Sequence, residues 1–148
     1  MTKTLEFKNN ELAVIINFLG SLQLKNKYSL ARTKLIKLLN AKYEEFVSDI
    51  KELRDPYFEK DENGNLKVND DQKYIYTDKV TDKDKHSLTE ALDELDNEQI
   101  TIDFTEYSKK LKDLYEALVS YDIPFSGQDA VAYENLVDQL DNNYRNEE

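Results

Sequence analysis

The chain has 148 residues, 39% hydrophobic and 34% charged, with a net charge of −11 at pH 7 and no cysteine. That length suits a single domain, 1–148, with a core of its own, and the absent cysteines exclude disulfides and thiolate metal sites. The opening M-T-K-T-L-E-F has no apolar signal core and no run approaches ~18 apolar residues, so an intracellular protein without a membrane span is expected.

The charge is unevenly placed. Residues 1–54 carry ten Lys/Arg against six Asp/Glu, a net of +4, and residues 55–148 carry ten against twenty-five, a net of −15. Attraction between the halves and solubility account for this simply. The other reading is an acidic interaction surface that mimics the charge of nucleic acid.

Lys3 to Phe7 (K-T-L-E-F) alternates polar and apolar, a short strand pattern. Asn9 or Asn10 can cap the helix that follows. Residues 11–22 are apolar around most of a helical circumference, which predicts a buried helix. Residues 20–28 read as a connection into the longest element, Ser29 to Leu53. There Leu35, Leu39, Tyr43, Phe46, Ile50 and Leu53 form one stripe at helical spacing, without Gly or Pro. Pro56 should stop this helix near Arg54, because it disfavours helical geometry at Asp55.

Residues 57–76 (Y-F-E-K-D-E-N-G-N-L-K-V-N-D-D-Q-K-Y-I-Y) predict a β-hairpin, with Asn63-Gly64 as its type I′ turn. Residues 77–86 are charged and read as loop with a helical start, and Ser87-x-x-Glu90 reads as a capping box opening a helix through Leu88, Leu92 and Leu95. Ile100 to Phe104 (I-T-I-D-F) is a second strand, and Thr105 can cap a helix carrying Tyr107, Leu111, Leu114, Tyr115 and Leu118. Ser126-Gly127-Gln128-Asp129 is a further capping box, before a last helix with Tyr133, Leu136, Val137, Leu140 and Tyr144 on one face. The tail N-N-Y-R-N-E-E is expected to fray.

The two ends echo each other. Each runs strand, apolar helix, connection, amphipathic helix, and Ala31, Leu35, Ile36 and Leu39 match Ala132, Leu136, Val137 and Leu140 at one constant offset. If the repeat is real, the strands pair and two helical hairpins pack on them. The expected fold is therefore mainly α with small β elements: a bundle of about five helices, a two-strand pairing, and residues 55–97 as an insertion carrying the β-hairpin.

No catalytic constellation emerges. The one histidine, His86, lies in a charged stretch, and nucleophilic catalysis needs an activated Ser, Thr or Cys beside a base. Asp61-Glu-Asn-Gly-Asn resembles a calcium loop, but glycine falls at the fourth position and Gln72 stands where the closing glutamate belongs. Three glycines provide no phosphate-binding loop. No enzyme activity, cofactor or metal is expected. Lys25, Lys27, Arg32, Lys34 and Lys37 form one basic cluster, but the overall acidity argues against a nucleic-acid partner. Arg32 falls on the face of Leu35 and Leu39, which predicts a buried ion pair with a carboxylate from the second half. Tyr57, Tyr74 and Tyr76 in the hairpin segment are candidate contact residues, or the hairpin's own packing against the long helix.

Taken together, the order strand, apolar helix, R-T-K-L-I-K-L-L helix, D-E-N-G-N hairpin, D-E-L-D-N-E-Q-I-T-I-D-F segment and two final helices resembles a family of small phage and prophage proteins of unknown function from Gram-positive bacteria. The resemblance covers most of the chain. It implies a phage context inside the host cell, with a role in particle assembly or host interference. With no catalytic set and a projecting segment, the expectation is a non-enzymatic interaction protein in the host cytoplasm whose partner is an unidentified phage or host protein, or a second copy of the chain. An acidic nucleic-acid mimic that inhibits a host DNA-binding enzyme is the alternative.

Overall fold

A computed structural model describes residues 1–145. The described residues are mainly helical, with five α-helices and a two-stranded antiparallel sheet: β1 (Thr4–Lys8), α1 (Leu12–Ser21), α2 (Asn26–Arg54), α3 (Asp82–Asp96), β2 (Gln99–Asp103), α4 (Ser108–Val119) and α5 (Gly127–Tyr144). Short 3₁₀ turns at Asn9–Glu11 and Thr105–Tyr107 follow the two strands, and a third at Asp55–Tyr57 follows α2. The backbone groups into two compact units, residues 1–43 with 99–148, and residues 44–98. The expected insertion, 55–97, falls within the second unit, which begins earlier, inside α2.

The first unit is built twice over. β1 pairs with β2 in the register Leu5↔Ile102, Glu6↔Thr101 and Phe7↔Ile100. Leu5, Phe7, Ile102 and Phe104 turn inward and are buried, while Glu6, Thr101 and Asp103 face out. Period-2 alternation thus places one face of the ribbon on the helices. After each strand comes a 3₁₀ turn, a short helix and a longer one. Ala31, Leu35 and Leu39 are buried, as are Ala132, Leu136 and Leu140; Ile36 and Val137 are half-buried in both places. α5 packs against α1, α4 and β1. Phe18 meets Phe125 edge-on at 5.1 Å, and Phe125 also lies 5.0 Å from Tyr133.

Several local expectations give way. α2 starts at Asn26, three residues early, on a residue with φ of 54°, a conformation asparagine tolerates better than most. Its apolar stripe also fades, for Leu53 is 37% exposed whereas Leu35 and Leu39 are fully buried. The end at Arg54 is where Pro56 places it. Lys8, rather than Asn9 or Asn10, stands at the N-cap of the turn after β1, and the Glu11 carboxylate accepts its N–H at 2.7 Å. Thr105 does not cap α4, since its Oγ1 accepts the Lys3 N–H at 2.9 Å. Ser126 stands at the start of α5, but its hydroxyl makes no capping bond.

α3 is longer than Ser87-x-x-Glu90 suggests. Its capping box is Thr81-x-x-Asp84, in which Thr81 Oγ1 accepts the Asp84 N–H at 3.1 Å and Asp84 Oδ2 accepts the Thr81 N–H at 3.0 Å. Ser87 therefore lies inside the helix. The tail is also more ordered than expected up to Tyr144. Asn143 donates to the Thr4 carbonyl at 2.9 Å and Tyr144 to that of Ser108. The last part of that tail, residues 146–148, lies outside the described residues. Among the described residues, no helix is long and apolar enough to cross a membrane.

Candidate interaction surface

Between the end of α2 and the start of α3 the chain builds a small knob from two similar loops. In the first, Asp61 N–H donates to the Asn65 carbonyl at 2.8 Å and Gly64 N–H to the Asp61 carbonyl at 3.0 Å. In the second, Asn69 and Lys73 repeat the first bond at 2.8 Å, and Gln72 and Asn69 the second at 3.0 Å. The leading side chain of each loop staples it. Asp61 Oδ1 accepts the N–H groups of Asn63 and Asn65 at 2.9 and 3.0 Å, and Asn69 Oδ1 those of Asp71 and Lys73 at 2.9 and 3.1 Å. Short Asp and Asn side chains suit this role because they reach backbone two residues on. The fourth residue of each loop has positive φ, 82° at Gly64 and 63° at Gln72.

This geometry corrects the type I′ hairpin. A type I′ turn needs positive φ at Asn63 as well, and Asn63 does not have it. The loop is wider, and Asp61 does the work assigned to Asn63. The bridges are single ones, Lys60↔Leu66, Val68↔Tyr74 and Phe58↔Tyr76. They close on themselves at an eight-residue spacing. Lys67 N–H donates to Glu59 O, Ile75 N–H to Lys67 O, and Glu59 N–H to Ile75 O, at 2.9, 3.3 and 2.8 Å.

On this frame Phe58 lies between two tyrosines, 4.5 Å from the Tyr76 ring in a stack and 5.4 Å from the Tyr74 ring. Cations lie over the outer rings. The Arg54 guanidinium is 5.1 Å from Tyr74, and Lys85 Nζ, from α3, is 4.6 Å from Tyr76. Arg54 also meets Asp55 at 3.3 Å. Tyr74 is 42% exposed. Beside it a concavity of about 270 Å³ is lined by Lys51, Arg54, Asn65, Leu66 and Tyr74 among others.

Of the three expected tyrosines, the structure brings Tyr74 and Tyr76 together around Phe58. Tyr57 stands apart from that cluster and closes the base of the knob through its carbonyl, which accepts the Thr77 N–H at 3.0 Å. Phe58, Arg54 and Lys85 were not singled out from the sequence. The eight-residue echo of D-E-N-G-N and N-D-D-Q-K was the signal that could have located the frame.

Arg32 belongs to the first unit and is half-buried. The expected carboxylate is not among its partners: the guanidinium donates to the Leu22 carbonyl and to Ser29 Oγ, the latter at 3.0 Å. A carbonyl at the end of α1 has no partner within the helix, so an arginine one connection away satisfies it. From the basic cluster, Lys27 approaches Asp113 at 3.6 Å and Lys34 lies 5.5 Å over the Tyr107 ring.

The chemistry offered elsewhere is mild. His86 is exposed on α3 and meets Glu90 at 3.0 Å. Among the described residues, no group of three or more His, Asp or Glu side chains is placed to hold a metal ion. Three carboxyls sit below their ordinary range, each through hydrogen bonds: Asp84 with the Thr81 N–H and hydroxyl, Asp103 with the Thr105 hydroxyl and N–H, and Asp141 with Tyr115 and then Arg145. The Tyr115 hydroxyl is correspondingly raised, first by its 2.6 Å bond to Asp141. These are structural bonds at helix starts and between helices, and none lies in the knob.

No curated protein and no solved structure matches the chain. One family does match, over residues 3–147, and it is described as a protein of unknown function (DUF1617). The chain belongs to that family.

Proposed function

We propose that this protein is a non-enzymatic protein–protein interaction protein of a phage or prophage, acting in the host cytoplasm in particle assembly or host interference. The observation that carries the reading is the knob. Its frame is closed by its own backbone and by Asp61 and Asn69, so the exposed Tyr74 and the loop side chains are left for contact. Tyrosine and arginine suit that use, because each offers a large contact area with a polar end. The flanking cations and exposed loop carboxylates favour a partner with an apolar anchor and polar groups around it. The phage setting rests on the resemblance of the whole chain.

The test uses the joined base of the knob. Because Tyr57 and Thr77 are hydrogen-bonded neighbours, a short Gly/Ser link can replace residues 58–76 without stretching the chain. Affinity capture from prophage-carrying or infected cells should recover one stoichiometric phage or host protein with the full chain. The shortened chain should keep its helical circular dichroism and lose that protein. Equal recovery by both would reject the knob as the contact surface.

A further inference from the structure

The two strands of the ribbon treat their outer edges differently, and the difference points to a partner. Alternate residues of an antiparallel strand turn their amide groups to opposite sides. Phe104 N–H donates to the Lys3 carbonyl at 2.9 Å, so Lys3, Leu5 and Phe7 bond across the ribbon while Thr4, Glu6 and Lys8 point their amides away from it. On β1 these outward groups are occupied by side chains. Gln139 of α5 takes both groups of Glu6, its Oε1 accepting the N–H at 2.7 Å and its Nε2 donating to the carbonyl at 2.7 Å. Asn143 donates to Thr4 O, and Glu11 accepts from Lys8 N–H. One helix thus closes the edge as a neighbouring strand would.

On β2 the outward amides belong to Gln99, Thr101 and Asp103, and among the described residues no side chain or backbone group bonds them. The constant sequence offset between the two helices fits this. The offset that matches Leu35 to Leu136 sets Leu38 and Lys42 of α2 where α5 has Gln139 and Asn143. Neither leucine nor lysine can give a strand both a donor and an acceptor. Among the described residues of this unit α5 packs against β1, and no helix packs comparably against β2. An uncovered strand edge is a template for another strand.

We infer that β2 pairs antiparallel with β2 of a second copy of this chain, about a two-fold axis at Thr101, giving a four-stranded sheet. The five residues Q-I-T-I-D read nearly the same in both directions. Self-pairing sets Thr101 opposite Thr101 in a hydrogen-bonded pair, Ile100 opposite Ile102 on the core side, and the Gln99 amide opposite the Asp103 carboxylate. No like charges meet, and threonine and β-branched pairs are favourable across strands. Ile100, only half-buried in the single chain, gains cover. β1 could not do the same, since Glu6 would face Glu6. A different protein's strand is disfavoured because the outer face of β2 offers only Gln99, Thr101 and Asp103, without pockets to select a sequence. A five-residue edge is a small contact, so the dimer is weak and depends on concentration. The inference is independent of the knob, which is in the other compact unit.

Sedimentation equilibrium of the full chain tests it, from about 10 μM to about 1 mM, the span over which a weak dimer forms. The expected result is a monomer–dimer equilibrium. Thr101→Pro removes an outward N–H that the single chain does not use, and should weaken the dimer about tenfold or more with unchanged circular dichroism. Gln99→Lys sets a cation opposite Asp103 and should tighten it. If the proline variant fails to fold, Thr101→Lys places like charges on the axis and should weaken the dimer instead. A monomer at every concentration overturns the inference and leaves the edge to an extended segment of another protein. A dimer unmoved by both Thr101 variants overturns it as well.

Discussion

Among the described residues, the unit formed by 1–43 and 99–148 buries nineteen apolar side chains in one cluster, whereas residues 44–98 bury Phe46, Leu88 and Leu95. The larger unit is specified by packing. Leu5, Phe18, Phe104 and Leu136 have no exposed surface. The smaller one relies, between its helices, on turn chemistry: two stapled loops, three single bridges and one aromatic cluster. A segment held by its own turns needs few inward side chains. On the proposed reading that freedom leaves the knob available for contact, and it makes each turn residue matter locally.

The comparison can be broken most severely in the core. Leu136→Ala should cost about 2–5 kcal/mol, because the site is fully buried and the neighbouring helices cannot close the space. Urea denaturation followed by circular dichroism would show it as a shifted midpoint. The two loops offer a smaller, paired test. Gly64→Ala forces a side chain onto a φ of 82° and should cost about 1–2 kcal/mol, even though the added methyl meets open space. Gln72→Gly relieves the same strain in the second loop and should stabilise by about 0.5–1 kcal/mol, once glycine's extra unfolded-state freedom is deducted. Opposite signs from equivalent positions would establish the repeat by energy.

The smallest effect is that of pH. Asp84, Asp103 and Asp141 are held below their ordinary values in the folded chain, so their contribution is present above the unfolded carboxylate range. It is lost as pH falls through their depressed values. Tyr115 works the other way, with a contribution present below the ordinary tyrosine range and lost as pH rises through its raised value. Thermal melting across pH should show a plateau with an acid and an alkaline shoulder, and Asp141→Asn should blunt both.

Much of this was legible in residue order. Alternation in L-E-F and I-D-F located both strands within one residue, Pro56 fixed the end of α2, and the apolar positions at one constant offset, Ala31, Leu35 and Leu39 against Ala132, Leu136 and Leu140, are buried in both helices. What escaped was set by side chains acting on backbone. Asp84 replaces the usual glutamate in the capping box of α3, and an aspartate in that place is easily passed over in a charged run. Gln72 takes positive φ although nothing in its chemistry advertises it. Arg32 finds a carbonyl because a helix end lies nearer than any carboxylate, which pairing by charge cannot foresee. The wider loop of the knob escapes for the same reason, since Asp61 closes it in a way the Asn63-Gly64 pair does not disclose.

Amide hydrogen exchange of the full chain, alone and bound to the protein it captures, tests the division of labour most directly. Slower exchange on binding across residues 57–77, with α1, α4 and α5 unchanged, is the predicted result. Slowing confined to α1, α4 and α5, with the knob amides unaffected, would contradict it.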